Sequence, residues 1–337
     1  MSMLRWTVWL GAAALCLGLL PASAIASGDG ALLDPRARLA RMHAAALERN
    51  YQGTMVFSAS GNLSSSRVAH YAHGDQSFEL IEALDGRMQR IYRHNDLVHT
   101  VWPQAGVVVI ERRPAASGPG ASLLQTVEAR ALDLYEMRHE GVDRVAGRDA
   151  EVLLLQPRDE WRYPQRLWAD LASGLMLRAD VLSSARRILE SSAFSQIEIG
   201  IKAQAEAVLQ PLRKLQGLKA LRAQNERTQL EAEGWVLNKA VPGFQLTSCV
   251  RRPLEALPAQ SDRPATSMVQ AVFSDGLTHM SVFIERFDAE RHRQEVNAQM
   301  GATATLMQRR GEHWLTAVGD VPPATLKRVL DAIERKR

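Results

Sequence analysis

Cysteine is nearly missing from this 337-residue chain: Cys16 and Cys249 are the only two. Cys16 lies in an apolar N-terminal run that reads as a cleaved leader, so the mature chain keeps a single thiol and no intrachain disulfide can form. Lysine is scarce as well, six residues against a background of arginine; the planar fork of arginine leaves anionic partners open, though a plain compositional bias accounts for the excess better. After residue 26 no apolar stretch is long enough to span a bilayer, so nothing there holds the chain in a membrane. Three catalytic signatures are also missing: H-E-x-x-H, G-x-S-x-G and a glycine-rich phosphate loop. With 41 basic and 37 acidic residues the charge balance is too slight to point to nucleic acid.

What is present begins with MSMLRWTVWLGAAALCLGLLPASAIA. One early positive charge at Arg5, an apolar run, Pro21 and two A-x-A sites form a secretory signal peptide over 1–26, cut after Ala24 or Ala26. The apolar run is shorter than a spanning helix needs, and Ala14-Leu15 before Cys16 does not suit a lipoprotein signal. An exported chain without a disulfide must draw its stability from core burial, and it is long enough for two domains.

Asp34-Pro35 opens an N-capped helix with Leu39, Met42 and Ala46 on one face. The period then changes to two. TMVFSAS and RVAHYAH form a pair around Gly61-Asn62, and SFELIEAL and RMQRIYRH a second around Asp85-Gly86. LVHTVWP and GVVVIERR follow, then the loop RPAASGPGA and a short helical piece, SLLQTVEARAL. LYEMRHEG, DAEVLLLQP, the hairpin RLWADLASGLMLRADVL and RRILESSAFSQIEIG complete a first domain over 30–201. Nine to eleven antiparallel strands with two inserted helices make a sheet that must curl, with an apolar filling in its hollow. Residues 202–232, rich in Ala, Gln and charge and broken by Pro211 and Gly217, read as a marginally helical linker. Residues 233–337 form a smaller α+β domain ending in a helix whose buried stripe is Leu326, Val329, Leu330 and Ile333.

Two constellations invite chemistry. His70 and His73, three apart in a strand, face opposite ways and cannot share an ion; His94 and His99 suffer the same problem in a continuous strand. Ser274, Asp275 and His279 are the three residue types of a hydrolytic triad. The alternation around them predicts a hairpin instead, with Asp275-Gly276 as a two-residue turn at positive φ. Val272 would then face His279 and Val269 face Val282, with Met280, Val282 and Ile284 buried and Ser274 and Leu277 flanking the turn. No catalytic residue, metal or cofactor is expected.

The strands themselves carry a resemblance. NYQGTMVFSASGNLSSSRVAHYAHGDQSFELIEALDG, VDRVAGRDAEVLLLQPRDEWRYPQRLWADLASGLMLRADVL, VPGFQLTSCVRR, FSDGLTHMSVFIE and AVGDVPPATLKRVLDAI resemble, in order, blocks of the MucB/RseB family. The likeness runs over nearly all of the mature chain. It implies an N-terminal LolA-like curved antiparallel half-barrel with inserted helices and a smaller C-terminal sheet-and-helix domain. It also implies a periplasmic protein of the envelope stress response that performs no chemistry. Such proteins bind the periplasmic segment of a membrane-spanning anti-sigma factor, shield it from site-one proteolysis and release it on sensing lipid or lipopolysaccharide-like ligands. A homodimer stays open.

On that reading the lipid-cavity candidates are Met55, Phe57, Trp102, Leu153, Leu155 and Met176, each equally readable as half-barrel core. Arg251 and Arg252 are the candidates for contact with an acidic partner or a lipid phosphate, or are plain solvated loop charges. The alternative function is a periplasmic lipid or lipoprotein carrier using the first domain alone, for which the second domain would be superfluous.

Overall fold

Helix α1 (Pro35–Glu48) starts where the sequence requires it. Proline at the first position needs no N–H partner, and the Asp34 carboxylate accepts from the Arg36 amide at 3.2 Å. The computed structural model describes residues 34–112, 130–215, 217–222, 225–253 and 267–336. The leader over 1–26, the loop RPAASGPGA and all but the end of the short helix SLLQTVEARAL lie outside these residues. Asp34–Arg337 forms one compact unit.

The first lobe is a meander. Strands β1 (Tyr51–Ala59), β2 (Asn62–His73), β3 (Gln76–Ala83), β4 (Arg90–His94), β5 (Leu97–Trp102) and β6 (Val107–Arg112) follow one another in space as in sequence. The one-turn helix α2 (Ala131–Leu134) precedes β7 (Tyr135–Val145), β8 (Arg148–Pro157), β9 (Gln165–Asp170), β10 (Met176–Leu182) and β11 (Ile188–Ile199), and β11 closes back onto β1. The eleven antiparallel strands expected as the upper bound are thus one sheet. Strands β7 and β11 stand four places apart, about 19 Å in a flat sheet. Their Cα atoms nonetheless come within 8 Å of each other, so this half of the sheet is strongly curled.

Burial follows the period-two pattern. On one face α1 lays Leu39, Met42 and Ala45 against Tyr51, Met55, Val68, Leu153, Leu155, Leu167, Leu177 and Phe194, all buried. Ala45 takes the central place that helical spacing had given to Ala46, which is only half-buried. Successive residues of β2 divide between faces: Val68 belongs to this cluster, while Ala69 and Tyr71 face the other way.

The connector does more than link. Helix α3 (Ala205–Arg213) passes through Pro211, expected to break it, and ends two residues later. Val208 is fully buried among Tyr71, Phe78, Tyr92, Val101 and Val108, and this packing holds the helix despite the missing N–H. Strand β12 (Lys219–Arg222) then pairs in parallel with β6 as the twelfth strand, a pairing the helical reading of this segment did not contain.

The second lobe holds a seven-stranded antiparallel sheet. Its strands are β13 (Glu226–Arg227), β15 (Gln245–Pro253), β16 (Ser267–Ser274), β17 (His279–Arg286), β18 (Val296–Met300), β19 (Thr303–Arg310) and β20 (His313–Gly319). Strand β14 (Trp235–Leu237) pairs separately with β21 (Ile333–Arg335), just after helix α4 (Pro323–Ala332). Leu326, Val329, Leu330 and Ile333 are buried as the helical period required. Cys249 lies in this core at 8 % exposure, and burial first, then Glu233 and Glu231, pushes its thiol up to about 11. The native mature chain should therefore resist iodoacetamide at pH 8 and be modified only after denaturation. Rapid labelling of the native protein would show that the core is open at this point.

Candidate functional site: the seam between the lobes

The hairpin that resembled a triad is the main element of the seam. Its register differs by two residues from the expected one: Ser274 faces His279, Val272 faces Ser281 and Val269 faces Ile284. The turn therefore has four residues, 275–278, closed by the Asp275 amide donating to the Thr278 carbonyl at 3.2 Å. Only Gly276 has positive φ. The two-residue reading fails because the Asp275 carboxylate folds back to accept the Leu277 and Thr278 amides at 2.9 and 2.8 Å, which a tighter turn would prevent. A shift of two leaves each side chain on its own face, so Met280, Val282 and Ile284 are buried as expected. Leu277 does not merely flank the turn. It is 8 % exposed and packs in the first lobe's core with Leu39 and Tyr135.

Asp275 itself is fully buried, and its other oxygen meets the first lobe. Oδ2 accepts from Arg162 Nε at 2.8 Å and from the Tyr135 hydroxyl at 2.9 Å. Arg162, whose side chain has no exposure, also donates from Nη2 to the Pro242 carbonyl at 2.7 Å and from Nη1 to Asp159. Its guanidinium carbon stands 4.9 Å from the Phe244 ring centre. Burial, reinforced by the Asp275 charge, drives the Tyr135 phenol well above its ordinary range, so it stays a donor. Each oxygen of Asp275 thus has two donors, and all three nitrogens of Arg162 have acceptors. That is the condition under which a buried pair is tolerated. Ser274 is engaged within the turn: its hydroxyl accepts from the Gly276 amide at 3.0 Å and its carbonyl from Arg130 at 3.1 Å.

The loop 158–164 supplies the first lobe's side of the seam through three consecutive residues. Trp161 packs against the second lobe's core, its carbonyl accepts from the buried Thr325 hydroxyl at 2.8 Å, and Arg328 lies over its ring. Arg162 takes Asp275. Tyr163 points to the β18–β19 turn, where its hydroxyl accepts from Gln299 at 3.1 Å and its ring contacts Ala302.

Two glycines let the backbones approach. Gly243 has φ +79, and a Cβ there would stand 2.6 Å from Leu134 and 2.8 Å from Arg162. Gly301 has φ +62; a Cβ there would lie 2.8 Å from that of Ala59, and its amide donates to the Ser60 hydroxyl at 2.7 Å. Both combine the left-handed conformation with contact across the seam, so no other residue fits.

Sequence reasoning missed this site. By local pattern Asp159-Glu160 is a pair of solvated turn carboxylates, and the alternation does not register β18, an edge strand with little buried surface. The available signal was Trp-Arg-Tyr in succession within a loop, a cluster of large side chains that a solvent-facing turn does not need.

Of the residues singled out beforehand, Met55, Leu153, Leu155 and Met176 belong to one buried cluster in contact with α1 residues. Phe57 and Trp102 are half-buried and outside it. Arg251 is engaged with Glu233, Nη2 to Oε1 at 2.8 Å, and Arg252 donates to Gln270 at 3.0 Å.

Fold and seam together define a two-lobed α+β scaffold, a large open, mostly antiparallel sheet fastened through buried charge to a small sheet-and-helix lobe. The chain belongs to the MucB/RseB family: the N-terminal domain of that family matches residues 34–212 and its C-terminal domain residues 229–334. It is 29% identical over 296 residues to the sigma factor AlgU regulatory protein MucB of Pseudomonas aeruginosa, covering 86% of this chain and 88% of that one. With the sigma-E factor regulatory protein RseB of Escherichia coli it shares 26% over 305 residues, 88% of this chain and 90% of the other. The solved complex of Pseudomonas aeruginosa MucA/MucB covers 90% of this chain and 99% of that one, with TM-score 0.66 and 24% identity, a likeness of fold.

Proposed function

We propose that this chain is a periplasmic regulator that binds the periplasmic segment of a membrane-spanning anti-sigma factor, shields it from site-one proteolysis and releases it when lipid or a lipopolysaccharide-like ligand binds. The observation that carries this reading is the match of both family domains, in order, to the two lobes that the seam fastens together. A solved relative, MucB, is described in complex with MucA(peri), which supplies the class of partner. A carrier using the first lobe alone would have no need of Arg162, buried on the second lobe's carboxylate.

Release requires that lipid favour the partner-free state, since equal affinity for both states shifts nothing. Met55, Leu153, Leu155 and Met176 lie in a cluster already filled by α1, so an acyl chain gains its roughly 0.8 kcal/mol per CH₂ only by displacing Leu39 and Met42. Of the two arginines, Arg251 is paired with Glu233, whereas the partner of Arg252 among the described residues is the neutral Gln270, which leaves its charge for an acidic segment.

Calorimetric titration of the anti-sigma factor's periplasmic segment into the mature chain should show saturable binding that weakens on adding lipopolysaccharide. Absence of binding would sink the regulator reading; binding indifferent to lipopolysaccharide would sink only the sensing part. Arg252→Glu should weaken the association, most clearly at low salt, without altering thermal stability. Unchanged affinity would remove Arg252 from the interface.

A further inference from the structure

The seam holds a second carboxylate that the ion network does not use. Glu190 of β11 is 6 % exposed, and its Oε2 has no hydrogen-bond partner among the described residues. Oε2 lies 3.5 Å from where a Cβ on Gly301 would be, beneath the turn that the second lobe sets on Ala59 and Leu189. The Ala302 amide, across the seam, donates to the Glu190 carboxylate. The charged group facing it, among the described residues, is another acid, Asp320, at the end of β20. Around the pair the polar groups among the described residues are neutral: Ser60 on the β1–β2 turn, Tyr163 on the loop, Gln299 and Thr303 on the β18–β19 hairpin. Arg186 and Arg187, in the turn just before the Glu190 strand, are exposed, and Arg186 lies 4.0 Å from Glu140.

Asp320 joins both parts of the seam. Its carboxylate accepts from the Thr303 hydroxyl at 2.6 Å, beside the Gly301 turn, and its carbonyl from the Thr278 hydroxyl at 3.2 Å, beside Asp275. Asp320 thus touches both the Gly301 turn and the Asp275 turn.

We propose that Glu190 and Asp320 form a proton-operated latch across the seam: while Glu190 carries a proton the 300–303 turn stays seated on the first lobe, and when both acids are charged it lifts. Two like charges in a site without a facing cation repel, and a buried carboxylate with one donor is costly to ionise. Burial, then the Asp320 charge, raises the Glu190 carboxyl from its ordinary 4.5 to about 7. The sign follows from linkage. A carboxyl raised on docking stabilises the docked form fully below its ordinary value, and that contribution is lost as pH rises through about 7. Acid closes the latch and alkali opens it.

The test uses the intact mature chain, with Glu190→Gln as a permanently neutral side chain of the same shape. Exchange protection of the Gly301 and Ala302 amides, corrected for intrinsic rates, should fall about tenfold or more between pH 5 and pH 8 in the wild type. In Glu190→Gln it should stay level. Asp320→Asn removes the facing charge and should move the wild-type midpoint to lower pH. Equal pH dependence in wild type and Glu190→Gln, or no dependence in either, would overturn the latch. If Glu190→Gln does not fold, an unmoved midpoint in Asp320→Asn overturns it alone.

Discussion

Arg162→Ala should lower the unfolding free energy of the mature chain by about 3–5 kcal/mol, because it leaves the Asp275 carboxylate buried and without its charge partner. The loss should appear in urea unfolding as a lowered midpoint, or as an early transition if the lobes separate first. Asp275→Ala should cost a similar amount by stranding Arg162. The two losses should not add: in the double variant neither charge is left alone, so it should be more stable than the sum predicts by more than 1 kcal/mol, of the order found for directly contacting pairs. Tyr135→Phe removes one donor of four and should cost about 1–2 kcal/mol. Arg162→Lys should not rescue, since a single ammonium cannot reach Asp275, Asp159 and the Pro242 carbonyl at once. A loss below 1 kcal/mol for Arg162→Ala would mean that the pair is hydrated and the seam open in solution.

Gly243→Val should cost about 2–5 kcal/mol, combining the strain of a branched residue at φ +79 with overpacking against Leu134 and Arg162. Gly311→Val provides the control. Its φ is +62 but nothing lies within 4 Å of an added Cβ, so only the backbone share, about 1–2 kcal/mol, should be lost. The difference between the two measures the closeness of the lobes at the Pro-Gly-Phe corner. Equal losses would show that the corner is not pressed against the first lobe.

The elements that alternate or repeat at the helical period were legible in the sequence. The cap at Asp34, the meander from Tyr51 to His94 and the stripe of α4 follow from local rules alone. What those rules could not supply was the company each element keeps. Asp275-Gly276 looks like a two-residue hairpin turn because the local pattern has no term for Arg162, 113 residues away, or for the first-lobe core that takes Leu277. Asp159 looks solvated for the same reason, since a loop charge reads alike whether it faces water or a guanidinium. The connector was under-read because the burial that keeps α3 helical through Pro211 comes from Tyr71, Phe78 and Tyr92 of another element. The resemblance to the MucB/RseB blocks reached the family where local pattern reached only the class.

The proposed shielding of an anti-sigma segment from a protease can be measured directly. The periplasmic segment is incubated with the site-one protease alone, with wild-type mature chain in excess, and with the Arg162→Ala chain. The account predicts slow cleavage with the wild type, faster cleavage with the variant whose seam is broken, and restored cleavage when lipopolysaccharide is added to the wild type. Cleavage at the same rate with and without the wild-type chain would contradict it.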